Sequence, residues 1–242
     1  MRTMSKAAFF LILLFLTTSI VHAQSESTTH VFPQIVDGVQ LDGSVFTSRI
    51  WIGRIGGFPA SCSVSLYGFG PERLTTSASA VVQPSSFATI STRGQDAVAG
   101  GYARLDCSQP VFASLTYSLQ GPDSKPLGMA TITGAPASPR ALIPMVLNGR
   151  YRYAIAIAND NDAPLIGILS LTSSGTSQVL PIQLQPRSQY VKFVNEIFNL
   201  AAEDSAIFEI LANGSVGSAS FNVSGLLFDG GTFTTLVPAT IH

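Results

Sequence analysis

The chain has 242 residues, 46% of them apolar and only 11% charged, with 13 basic against 14 acidic side chains and a formal net charge of −1. Ordinary globular domains carry roughly 25% charged residues, so here Ser, Thr, Gly and Asn supply the polarity, while the apolar content is enough for a packed core and argues against disorder. Arg and Lys are scattered singly, the closest being Arg150 and Arg152, so the basic stripe of a nucleic-acid binder is missing and no nucleic acid is expected as a partner.

The N-terminus has the zones of an export signal. Arg2 and Lys6 precede an apolar run over residues 7–16, and Val21, His22 and Ala23 offer small residues for cleavage after Ala23. A membrane anchor needs roughly 20 apolar residues, and Thr17, Thr18 and Ser19 interrupt this run. Residues 1–23 are therefore expected to be a signal peptide. Its loss would remove two basic residues and no acid, leaving a more acidic chain in the cell envelope or outside the cell, with no membrane span after cleavage.

Cys62 and Cys107 are the whole thiol inventory. In an oxidising compartment such a pair is best read as one disulfide, with two buried free thiols as the alternative. A bond would close a loop of about 45 residues, worth roughly 4 kcal/mol on the chain-entropy account. Neither reading implies catalysis.

An internal similarity runs through the rest. FPQIVDG from Phe32 returns as IPMVLNG from Ile143, FTSRIWIG from Phe46 as YRYAIAIA from Tyr151, and VQPSS from Val82 as LQPRS from Leu184. YARLDCSQPVFASLTYSL from Tyr102 is shadowed by FEILANGSVGSASFNVSGLL from Phe208. The Gly- and Pro-bearing stretch of residues 133–140 suits a linker. This divides the chain into a module at residues 24–135 and a second at 136–242.

Both halves alternate with period two, the mark of strands with one buried face. Phe46, Ile50 and Ile52 share one face and Thr47, Arg49 and Trp51 the other; Val64 and Leu66 alternate with Ser63 and Ser65, and Leu169 and Leu171 with Ser170 and Thr172. Turn-forming clusters bound these runs. The fold class expected is all-β, two tandem β-sandwich-like modules. One short helix is expected near residues 191–200, where Phe193, Ile197 and Leu200 fall at helical spacing.

The succession of FPQIVDG, FTSRIWIG, VQPSS and GGYARL, then IPMVLNG, YAIAIAN, LQPRSQYVKFVNEIF and FTTLVPATI, resembles an uncharacterised module of bacterial secreted proteins. The likeness covers residues 30–242. It implies architecture and compartment and brings no defined activity or catalytic residue. The cysteine pair of the first half and Trp51, where many relatives have a small or aliphatic residue, depart from the pattern.

Chemistry is thinly represented. His22 would leave with the signal, His30 lies near the new N-terminus and His242 is the last residue, so the usual general base and metal ligand are lacking inside both modules. The motifs G-x-S-x-G, H-E-x-x-H and G-x-x-x-x-G-K-[ST] do not occur. A pair of carboxylates performs glycoside hydrolysis without histidine, but Asp37, Asp106 and Asp229 read as turn residues, and Glu203 and Asp204 follow the expected helix. Asn159, Asp160, Asn161 and Asp162 form an oxygen-rich run in which Asp160 and Asp162 are weak calcium candidates; a plain turn is the simpler reading. No cofactor is expected, and no enzymatic activity.

Trp51 and Arg49 are the candidate ligand-binding residues. If Ile50 and Ile52 face the core, both point outward, and Trp and Arg are common binding hot spots. The competing reading has Trp51 covered by a loop or by the second module, whose matching strand offers Ala154 and Ala156. Three functions follow: a noncatalytic extracellular or cell-surface interaction module with an unknown protein or polysaccharide partner; a carbohydrate-binding module with Trp51, Tyr67 and Tyr102 in one open row; and a glycosidase-like enzyme with an unrecognised carboxylate site.

Overall fold

A computed structural model describes residues 26–75, 77–199, 205–213, 220–230 and 232–241. The expected signal peptide, His22, His242, Leu200, Glu203 and Asp204 lie outside the described residues. The fold is all-β. In the first half, strands β1 (Ser27–Val39), β2 (Val45–Arg54), β3 (Ala60–Tyr67), β4 (Ser79–Val82), β5 (Ser86–Ser91), β6 (Ala99–Gln120) and β7 (Pro126–Thr133) form one sheet, ordered β4-β3-β6-β1-β2-β5, with β7 and β2 also on β6.

The 22-residue strand β6 organises this half. Its first stretch pairs with β1 and β3, and its second with β2 and β7. Between them the ladder breaks: Thr29 of β1 opposes Asp106, but Ser27 opposes Val111. Pro110 lies in the break, where its missing N–H costs no ladder bond, and its carbonyl instead accepts a hydrogen bond from the buried Arg54. The apolar faces of both stretches share one core, which holds Phe32, Ile50, Ile52, Leu105, Leu115 and Tyr117. Cys62 and Cys107 stand directly opposite each other on β3 and β6 and form a disulfide.

The second half contains β8 (Ala137–Ser138), β9 (Arg140–Met145), β10 (Tyr151–Asn159), β11 (Leu165–Ser173), β12 (Thr176–Leu184), β13 (Ser188–Phe193), helix α1 (Val194–Ile197), β14 (Ala206–Ala212), β15 (Phe221–Asp229), β16 (Thr232–Leu236) and β17 (Ala239–Ile241). One sheet runs β13-β10-β15-β16, with β8 on β15, and the other β12-β11-β14-β9-β17. Ile143, Ile155, Ile157, Leu169, Phe208 and Phe221 of both sheets build a shared core.

Six strand pairings recur between the halves, while β1–β2, β8–β15 and β9–β17 have no counterpart. The contacts β1–β6, β3–β6, β3–β4, β2–β5, β2–β6 and β6–β7 are paralleled by β9–β14, β11–β14, β11–β12, β10–β13, β10–β15 and β15–β16. Where the first half has the single long β6, the second has β14 and β15. Ser85 and Arg187, in the matching QPSS and QPRS turns, both take positive φ, 55° and 53°. The expected helix is confined to one turn. Tyr190, Val191 and Phe193 pair with β10 instead, since aromatic and β-branched residues fit a sheet better than a helix, and α1 then buries Val194 and Phe198, four residues apart.

The halves meet through the outer face of the sheet containing β10. Ala154, Leu226 and Phe233 join the first core, and Ala158 packs with Val31 and Tyr102. Small residues allow this approach: a Cβ on Gly128 of β7 would fall 2.7 Å from the Phe233 ring. The stretch expected as a linker is itself structured, with β8 paired to β15 and Ala135 bridged to Val31.

Candidate functional site

Strand alternation places Trp51 as the sequence predicts. Ile50 and Ile52 are buried at 1% and 0% exposure, and the neighbouring side chains of β2 point to the opposite face. Directly paired residues share a face, so the register fixes what surrounds them. Arg49 stands between Ser91 of β5 and Thr116 of β6, Trp51 between Thr89 and Ser114, and Gly53 between Phe87 and Phe112. Thr131 and Met129 of β7 extend the face beyond Thr116 and Ser118.

Part of this face forms an open groove of about 680 Å³, lined by Thr47, Arg49, Trp51, Ser91, Thr116 and Thr131 among others, with Phe87 and Phe112 outside its lining. The Arg49 guanidinium lies over the Trp51 ring, 5.5 Å from its centroid, and its Nε donates to Ser91 Oγ at 3.0 Å. The Trp51 and Phe87 rings are 5.8 Å apart and tilted by 46°. Phe87 is 70% exposed, and beyond it Ile55 and Phe58 of the β2–β3 loop are also exposed. Arg54 anchors that loop through the Phe58 carbonyl. Arg49 is the only charged residue lining the groove, among the described residues.

The second half does not cover Trp51. Its residues Ala154 and Ala156 are both buried, and Ala154 packs into the first core away from Trp51. Matched by sequence and register, Arg49, Trp51, Ser91, Thr116 and Ser118 in the first half correspond to Ala154, Ala156, Phe193, Leu226 and Phe228 in the second. One sheet face is thus apolar and docked in one half, and hydroxylated, aromatic and open in the other.

Tyr67 and Tyr102 are not part of that face. Their rings stack at 4.4 Å, and Tyr102 is fully buried. Sequence reasoning missed Phe87 and Phe112, whose place beside Trp51 depends on the register of β5 and β6 against β2; the signal available was Gly53 as an open space between them.

Asp160 lies at the join of the two halves with its side chain 11% exposed. It accepts hydrogen bonds from Arg104 at 2.5 Å, Arg187 at 2.7 Å and the Tyr102 hydroxyl at 3.1 Å. Arg187 also binds Asp162, and Arg104 binds Asp106. Both calcium candidates therefore face guanidinium groups, and Asn159 secures the turn by donating to the carbonyls of Ala163 and Gln185. Burial and the charge of Asp160 push the Tyr102 hydroxyl above its ordinary value. Burial works to raise the Asp106 carboxyl, but hydrogen bonds from Arg104 and Thr29 outweigh it and hold the group low.

The remaining acids depart in part from the turn reading. Asp37 is a buried strand residue that accepts from Gly94 N at 2.7 Å and pairs with Arg73 at 3.4 Å. Asp106 lies within β6, and Asp229 ends β15 in a two-bond pair with Arg150. His30 is buried with Nε2 2.9 Å from the Val111 carbonyl. Among the described residues, no group of three His, Cys, Asp or Glu side chains is placed to hold a metal ion, and no helix is long and apolar enough to cross a membrane. No protein-family model matches the chain, and no curated protein matches it.

Proposed function

We propose that this is a noncatalytic extracellular binding module, made of two copies of one β-sandwich, whose ligand is a glycan chain laid across the Trp51 face. The observation that carries the reading is the face itself: Trp51, Phe87 and Phe112 clustered around Gly53, with the hydroxyls of Ser91, Ser114, Thr116 and Thr131 spread beside them. Sugar rings present apolar C–H faces that stack on aromatic rings and hydroxyls that exchange hydrogen bonds with Ser and Thr. The disulfide and the absence of a membrane-spanning helix among the described residues are compatible with an extracellular setting. The recurring strand pairings support the two-copy reading. The groove lining carries no carboxylate among the described residues, which supports binding over glycoside hydrolysis.

The test is a pull-down of the protein against cell-wall and environmental polysaccharides, beside Trp51→Ala at matched folded fraction. Retention of wild type by a glycan, lost in the variant, is the expected result. Retention that is unchanged in the variant moves the site elsewhere, and retention by no glycan removes the reading. In that case the exposed Phe87, Phe58 and Ile55 favour a protein partner at the same end of the groove.

A further inference from the structure

The groove has a charge asymmetry that a neutral sugar does not use. Among the described residues Arg73, Arg104, Arg140, Arg150 and Arg187 each meet a carboxylate within 4 Å. Arg49 meets none. Its Nε is bound to Ser91, and its two terminal nitrogens carry no hydrogen bond or ion pair to any described residue. The other residues lining the groove are neutral, so a bound anion would meet one cation and no opposing carboxylate.

Arg49 is also held in place. The Trp51 ring beneath the guanidinium and the Ser91 hydroxyl at its Nε restrict the side chain, so less rotamer freedom remains to be lost on binding. A guanidinium presents its donors as a planar fork that matches a carboxylate or a sulfate. Around it, Ser and Thr hydroxyls suit the neutral hydroxyls of the same ligand.

We infer that the groove selects an anionic glycan, with a sugar-borne carboxylate or sulfate on Arg49 and the sugar ring against Trp51 and Phe87. This rests on the glycan reading and specifies its ligand class. At neutral pH a uronic acid is ionised, so polyuronates and sulfated polysaccharides share the required chemistry.

Trp51 is the only tryptophan in the chain, so its fluorescence reports this groove directly. The experiment titrates the protein with polygalacturonate, with the methyl ester of the same polymer, and with dextran sulfate and dextran as a second charged and neutral pair. Wild type, Arg49→Gln and Arg49→Lys are compared after a thermal melt has shown each to be folded. The inference expects a response to polygalacturonate that is absent or about tenfold weaker for the ester, falls by a similar factor in Arg49→Gln, and recovers in part in Arg49→Lys. A response to dextran sulfate but not polygalacturonate identifies sulfate as the anion. Equal responses to charged and neutral polymers overturn the anionic selection and leave the glycan site standing. Silence toward all four, with no retention in the polysaccharide pull-down, overturns both.

Discussion

Arg104 of β6 reaches Asp160 of the β10–β11 turn at 2.5 Å and so ties the first half of the chain to the second. Arg187 approaches the same carboxylate at 2.7 Å. One half-buried acid thus faces two cations at the join, and without it Arg104 would keep only Asp106 and Arg187 only Asp162.

Asp160→Asn is expected to destabilise the protein by about 2 kcal/mol, below the scale of a fully buried ion pair because each arginine keeps a second carboxylate. Asp162 is 89% exposed, and Asp162→Asn is expected to cost less than about 0.5 kcal/mol. Urea midpoints of the two variants check this, and equal shifts would contradict the central place given to Asp160.

The two faces of β2 give a second contrast. Ile52→Ala deletes a core side chain and is expected to cost about 3 kcal/mol. Trp51→Ala, one residue away, changes only an open face and is expected to cost less than about 1 kcal/mol. Thermal melts of both variants measure the difference; a larger loss for Trp51→Ala would mean that the ring is structural.

Reduction of the Cys62–Cys107 bond is expected to lower stability by about 4 kcal/mol. Denaturation with and without reductant, with thiols counted by alkylation and mass spectrometry, measures the shift. An unchanged midpoint with both thiols free would show that the β3–β6 ladder needs no clamp.

Acid is expected to weaken the fold in two stages. Burial, against the hydrogen bonds that the ring makes to the backbone of Val111 and Ser27, lowers His30 from its ordinary value of 6.5. The unfolded chain then takes up a proton more readily than the folded one, so this stability is full above pH 6.5 and falls as the pH drops below it. Asp106, held below its ordinary value of 3.8, contributes stability above that value that is lost as the pH falls further. Urea midpoints between pH 7.5 and 5 should decline in wild type and stay flatter in His30→Gln. A decline of equal slope in both would assign it to other groups.

Much of the fold was legible because alternation is local. The buried faces of Ile50 and Ile52, Leu169 and Leu171, and the outward turn of Trp51 and Arg49, follow from period two alone. Partners across the sheet were not, since the spacing of strands in sequence leaves register open: Phe87 and Phe112 sit beside Gly53 only because β5 and β6 slide into that alignment. Tyr67 and Tyr102 look like surface aromatics in sequence, yet the docking of the second half buries Tyr102 and leaves the two rings stacked. Asp160 and Asp162 read most simply as part of a turn, and nothing local shows that Arg104, 56 residues earlier, is brought against Asp160.

Strand β6 also sets the order in which the protein can be made. Thr29 of β1 bonds Asp106, 77 residues later, so this strand has no partner on that edge until most of the first half has followed. Contacts this distant in sequence form slowly, and an apolar strand waiting for its mate exposes an edge to other chains. An immature chain is therefore most prone to aggregate in the interval between the appearance of β1 and that of β6.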